Sequence, residues 1–233
     1  MLSRALRFIP QLRLPAVLGL ASFSLAALPP LAAAETLPEP APIATPSPWF
    51  ADLSAGLSII PSGDITLGGR TYEGDFKDGP FLRGAVGRRL GKGWAVEGEW
   101  FYRTNSVNSL VASDRRFTGG DAASNNLFLN ATYSPGAQFS WRGISPSAGL
   151  GFGYIQELDV DLEGADGGEF SSSGSTAWQW SIGLRKVLGP RAELFLEGRA
   201  VAAGERELEA RGGRKLKIAY DAWAMLAGLR WSF

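Results

Sequence analysis

The sequence contains no cysteine and no histidine. Without cysteine there is no disulfide framework and no thiolate metal site. Without histidine the commonest general base, the usual triad member and the commonest transition-metal ligand are all missing. These two absences argue against most hydrolase and metalloenzyme mechanisms, and the chain reads as a non-enzyme without a cofactor. Net charge is lacking too. The 23 basic residues balance 23 acidic ones, and no long basic run offers a nucleic-acid footprint. From Trp49 onward no apolar pattern of helical period lasts three or four turns.

What is present points to strands. Thirty Gly, 13 Phe and eight Trp in 233 residues suit β structure with many turns. The first segment is a separate matter. Arg4, Arg7 and Arg13 precede an apolar stretch from Leu14 to Leu28, and Ala32 and Ala34 make an A-x-A site. This pattern predicts a secretory signal peptide over 1–34. A membrane anchor is the alternative, but Pro29 and Pro30 interrupt a stretch already short for a span. Cleavage leaves 20 basic and 23 acidic residues, a net charge of −3. Residues 35–48 carry Pro38, Pro40, Pro42, Pro46 and Pro48 among small or polar neighbours. That composition predicts an extended periplasmic tail, a spacer rather than a recognition motif.

Period-two alternation then recurs to the end of the chain. Eight strands are predicted, at 49–60, 79–90, 93–103, 124–133, 144–157, 175–188, 191–201 and 217–233. The last is the clearest: Trp223, Met225, Ala227, Leu229, Trp231 and Phe233 share one face. Long gaps at 61–78, 104–123, 158–174 and 202–216 alternate with shorter ones such as "GK" and "GP". Sorting of connections by parity is the mark of an outer-membrane barrel, with short periplasmic turns and long extracellular loops. The expected fold over 49–233 is an all-β, eight-stranded, antiparallel up-and-down transmembrane barrel.

The faces fit that expectation. The polar face carries Asp52, Arg83, Glu97, Glu99, Arg103, Arg185, Glu193, Glu197, Arg199 and Arg230. Acids and bases are nearly balanced among them, and buried charges must be paired. A luminal ion-pair network is therefore expected, with the apolar face towards lipid. Trp49, Trp94, Trp178, Trp180, Trp223 and Trp231 suit aromatic girdles at the membrane boundaries. In a soluble barrel the same apolar face would instead be the core.

The segments "GRRLGKGWAVEGEWFYRTN" and "AGLRWSF" resemble the small outer-membrane barrels of the OmpA-like type, above all the opacity-protein and surface-antigen group. The resemblance covers about 49–233 and implies a bacterial outer-membrane location. In that family the terminal Phe is read by the barrel-assembly machinery, and Trp231 and Phe233 match that signal. Barrels of this architecture that modify lipid A or cleave proteins use His, which this chain lacks.

One motif invites a metal reading. In "DVDLEGADGGEF", Asp159, Asp161, Glu163 and Gly164 fit the start of an EF-hand loop, but its last position holds Phe170 rather than an acid. No metal is assigned. The segment reads as a solvated acidic loop, with Glu157, Asp166 and Glu169 adding to its negative field. The Gly-rich "GDITLGG" and "GGRK" lack a strand–turn–helix setting and read as turns. The expected function is non-enzymatic, structural or surface-interacting through the long loops. Expected partners are membrane lipid and lipopolysaccharide, the assembly machinery and an extracellular partner that the sequence does not name. The rivals are a small porin and a soluble periplasmic ligand-binding barrel.

Overall fold

The computed structural model describes residues 47–135, 139–164 and 167–233. The signal-peptide segment, most of the Pro-rich tail and Asp166 lie outside the described residues.

Twelve strands follow in order: β1 (Trp49–Ile59), β2 (Gly63–Leu67), β3 (Arg70–Phe76), β4 (Gly79–Gly91), β5 (Trp94–Val111), β6 (Arg116–Phe117), β7 (Gly120–Tyr133), β8 (Ile144–Leu162), β9 (Gly168–Ser172), β10 (Ser175–Val187), β11 (Ala192–Ala210) and β12 (Lys215–Ser232). Eight of them close a ring. β1 pairs with β4, then β5, β7, β8, β10, β11 and β12 follow, and β12 pairs back onto β1. Every pairing is antiparallel, so the barrel is up-and-down. The seam runs from Phe50 opposite Ser232 to Ile59 opposite Trp223. The Phe233 N–H also donates to the Trp49 carbonyl. The terminal residues are therefore held in the wall.

Three connections emerge at one end of the ring. The tightest holds Gly91, Lys92 and Gly93, all at positive φ. Gly93 is required twice over, because a Cβ there would lie 2.3 Å from the Ser134 carbonyl oxygen. The other end differs from the sequence expectation. The segments 61–78, 104–123, 158–174 and 202–216 are largely strand rather than loop. β5, β8, β11 and β12 run on past the ends expected for them. The β2–β3 hairpin fills the wall between β12 and β5, and β9 fills it between β8 and β11. The barrel is thus extended at one end by a second, shorter storey of sheet. The EF-hand reading fails for the same reason, since Asp159 and Asp161 lie in β8. Among the described residues no cluster of acids is arranged to hold a metal ion.

Side-chain volume is balanced across the interior. Gly149, Gly151 and Gly153 stand on the inner face of β8. A Cβ on Gly151 would sit 1.9 Å from Asn130 Oδ1, and one on Gly153 would sit 2.3 Å from Phe128. Strand glycine here makes room for longer residues from β7 and β10.

Candidate functional site

The interior has two levels of opposite character. At the short-turn end it is ionic. Arg83 on β4 is buried among three carboxylates. It donates Nε to Glu99 at 2.5 Å and Nη2 to Glu97 at 2.5 Å, with Asp52 at 3.4 Å. Arg230 on β12 donates Nε and Nη2 to the two oxygens of Asp52, both at 2.7 Å, and Nη2 also to Glu97 at 2.8 Å. Arg199 on β11 donates to Glu97's neighbour Glu99 and, at 2.6 Å, to Glu197. Gln179 donates to Glu99 and to Asn130, which itself donates to Glu99. Each carboxylate is thereby fed by charged or amide donors, the condition for burying ions without a large unpaired penalty.

Seven of the ten charged residues expected to face inward form this network directly: Asp52, Arg83, Glu97, Glu99, Glu197, Arg199 and Arg230. Glu193 lies nearer the rim and is bonded to Arg89 instead. Arg185 stands at the network's edge, 4.0 Å from Glu193. Arg103 does not join it. Its Nε donates to Ser124 Oγ at 3.3 Å, and its guanidinium lies 4.2 Å from the Tyr220 ring centroid. No carboxylate pairs with Arg103 among the described residues, because its level of the wall presents Ser124, Ala122 and Tyr220 inward. Arg89, absent from the ten expected residues, donates to Glu193 at 2.7 Å and to Ser232 Oγ at 2.8 Å. The signal for it was available, since Arg89 continues the odd-numbered inner face of Phe81, Arg83, Ala85 and Gly87.

Above Arg103 the interior becomes apolar. Ile65, Tyr72, Leu110, Phe117, Val160, Phe170, Leu208, Leu216 and Ile218 form one buried cluster. Tyr72 meets Phe117 edge-on, with ring centroids 5.6 Å apart. Between the two levels a cavity of about 10 Å³ remains, lined by Arg103, Ser124, Leu158, Val160 and Tyr220. That is at most the volume one water requires.

The outer surface is the complement. Around the ionic level it is apolar and bare: Leu53, Leu129, Ile182, Met225 and Leu229 are each at least half exposed. Trp49, Trp94 and Trp231 ring the short-turn end, while Trp178, Trp180 and Trp223 ring the other. Trp180 meets Trp223 edge-on at 5.3 Å across the sheet. On β12 the band runs from Trp223 to Phe233. Ten steps of about 3.3 Å, tilted by about 40°, span about 25 Å, the height of the apolar belt of a membrane barrel. A continuous apolar surface of this extent does not face water.

Comparison with known proteins agrees on architecture. No protein-family model and no curated protein matches the sequence. Among solved structures, the outer membrane protein OprG from Pseudomonas aeruginosa superposes with a TM-score of 0.61 at 20% identity, covering 82% of this chain and 98% of that one. Neisserial surface protein A (NspA) gives a TM-score of 0.48 at 15% identity, covering 80% of this chain and 98% of that one. The chain has the fold that OprG exemplifies, an eight-stranded antiparallel up-and-down transmembrane β-barrel of the small outer-membrane kind.

Proposed function

We propose that this protein is a non-enzymatic integral protein of the bacterial outer membrane that displays a rigid, strand-built platform outside the cell. The short-turn end faces the periplasm and the extended storey faces outward, as the loop asymmetry of such barrels requires. The observation that carries the reading is the filled interior. The ion-pair network plugs the membrane level, and the Leu208–Leu216–Ile218 cluster plugs the level above it. An eight-stranded barrel is only wide enough for side chains to fill, and here they fill it. This argues against the porin reading. The exposed apolar belt argues against a soluble barrel. The lack of His and Cys supports the absence of catalysis.

The outer storey is built for presentation. Its inner face is a hydrophobic core and its outer face carries Asp121, Asp159, Asp161, Glu205, Glu207, Lys215 and Lys217. Such a surface can meet the sugar and phosphate layer of lipopolysaccharide or a protein beyond it. Trp231 and Phe233 occupy the lipid-facing register of the closing strand, and under this proposal they carry the signal read by the assembly machinery. One experiment tests the whole reading: express the chain with and without Phe233, measure folded yield in the outer membrane, and record the folded barrel in planar bilayers. Folded outer-membrane barrel is expected only with Phe233 present, and without steady conductance. Steady single-channel currents would overturn the platform reading. Equal yield without Phe233 would overturn its assembly role.

A further inference from the structure

The mouth at the short-turn end contains a guanidinium that the ion-pair network does not use. Arg185 lies near the end of β10 with its side chain only 10% exposed. Its Nε is buried and has no acceptor among the described residues. Its nearest carboxylate oxygen, on Glu193, is 4.0 Å away, and Glu193 is already held by Arg89 at 2.7 Å. The two other guanidiniums that line the cavity at this mouth are both hydrogen-bonded. Arg230 makes three hydrogen bonds to Asp52 and Glu97, and Arg89 bonds Glu193, Ser232 and the Ser47 carbonyl. Leaving a buried charged donor unpaired costs far more than pairing it, so such a group marks a place where an acceptor belongs.

The space beside Arg185 is suited to one. A cavity of about 430 Å³ opens there, lined by Arg89, Arg185, Arg230, Thr132, Ser140 and Ser145 among others. Three guanidiniums and a set of hydroxyls face it, against the single carboxylate of Glu193. Ser145 is the cross-strand neighbour of Arg185 on β8. Its volume falls in the range of small-ligand sites. A planar guanidinium flanked by hydroxyls matches the oxygens of a phosphate group, which accepts from several directions at once.

We propose that the short-turn mouth is an oxyanion site for a phosphate group, with Arg185 as its principal donor and Ser145 beside it. The phosphate is either a free periplasmic ion or the headgroup of a phospholipid of the inner leaflet. The site lies below the plug, so it is filled from the periplasm and requires no passage through the barrel.

The test uses the full folded chain in non-ionic detergent, labelled with ¹⁵N, and follows arginine Nε–H resonances. The Arg185 signal is assigned by its loss in Arg185→Gln. Inorganic phosphate is titrated against sodium chloride at matched ionic strength, and dihexanoyl phosphatidylglycerol is titrated below its micelle concentration. A saturable shift of the Arg185 signal with inorganic phosphate identifies a free-ion site. A saturable shift with the lipid alone identifies a headgroup site. Phosphorus line broadening should reveal binding to the parent that weakens at least tenfold in Arg185→Gln. Arg103→Gln, which removes another under-paired guanidinium, one away from this mouth, should bind as the parent does. Should Arg185→Gln fail to fold, Ser145→Ala must weaken binding several-fold in its place. A shift that never saturates and is matched by chloride, or binding unchanged in these mouth variants, would overturn the site.

Discussion

The two storeys of this barrel are built on the same strands and have opposite polarity. β12 shows the contrast without a break. From Trp223 to Phe233 its outward residues are apolar, and Arg230 and Ser232 point inward. From Lys215 to Asp221 the outward residues are Lys215, Lys217, Ala219 and Asp221, while Leu216, Ile218 and Tyr220 point inward. The strand keeps one register with β11 across most of this length, and the pleat never changes hand. What changes is the medium outside. Lipid demands an apolar exterior and pushes polar groups in, where they must pair. Water permits a polar exterior and rewards an apolar core. A period-two sequence is therefore ambiguous about inside and outside until the solvent is known.

The contrast predicts different consequences of deletion in the two halves. Arg83→Met keeps most of the side-chain volume but leaves Asp52, Glu97 and Glu99 short of their shared cation. Breaking a buried ion cluster in this way costs about 3–5 kcal/mol. Adding Glu97→Gln should recover part of that loss, because it removes one of the stranded charges. Leu216→Ala in the upper storey should cost about 2–5 kcal/mol through lost burial and a cavity. The same Glu97→Gln change should not rescue it. Urea midpoints of the four variants in detergent decide the matter. If Glu97→Gln fails to rescue Arg83→Met, the lower interior is not held together by charge pairing.

A second change sharpens the boundary between the storeys. Leu229 and Ala219 lie on the same outer face of β12, one in the middle of the apolar band and one beyond it. Leu229→Arg should destabilise the lipid-embedded barrel by about 2–4 kcal/mol. Ala219→Arg should fall within about 0.5 kcal/mol of the parent, as exposed substitutions in water do. Folding equilibria measured in phospholipid vesicles provide the comparison. Equal penalties at the two sites would place Ala219 in lipid and move the boundary outward.

The lower storey was legible in the sequence and the upper one was not, for a physical reason. Alternation of apolar and polar residues stops near residues 103, 157 and 201, so the sequence predicts strand ends there. On β5 the wall continues through Thr104, Asn105, Ser106, Asn108 and Ser109, polar on both faces, so no contrast marks it. On β8 and β11 a bulge intervenes. The register shifts between Asn125 and Asn126 opposite β8, and between Ala202 and Glu205 on β11. On β8 the inward residues change from Gly151, Gly153 and Ile155 to Leu158, Val160 and Leu162, from odd to even positions. One extra residue flips every later side chain relative to a simple alternation, so the pattern reads as ended. At the β11 bulge the N–H groups of Ala203 and Gly204 donate to Asp221, a cross-strand arrangement invisible in one strand alone. Most charged residues of the lumen are legible because each stands on the face opposite a run of apolar residues, as Asp52 does on β1 and Arg230 on β12. The under-paired guanidinium of Arg185 is not distinguishable in the sequence from its paired neighbours, since pairing depends on which strand ends meet at the mouth.

The smallest expected effect separates two faces of the upper storey. On β11 and β12 the outward charges alternate in sign: Lys215 donates to Glu207 at 2.5 Å, and Lys217 stands 3.7 Å from the same carboxylate. On β7, β8 and β9 they do not. Asp121 is directly opposite Asp161, which is directly opposite Glu169. Like charges facing one another across a sheet destabilise the pair. Partial burial raises the Asp161 pKa first, and Asp121 and Glu169 raise it further. Asp159 is raised by burial, then by Glu157, Asp161 and Glu169. A carboxylate whose folded pKa exceeds its unfolded value favours the fold most when both states are protonated. Its contribution is complete below the unfolded value, about 3.9, and is lost as pH rises through the folded one. At neutral pH this face should therefore open more readily than the β11–β12 face. Asp161→Asn should raise amide protection along the β8–β9 pairing at pH 7 and leave β11–β12 unchanged. Its advantage over the parent should shrink as the pH falls below about 4, where the parent's carboxylates are protonated as well. Hydrogen exchange on both proteins at the two pH values measures this directly. Protection that is the same in variant and parent at pH 7 would show that the acidic row is fully screened by water and salt.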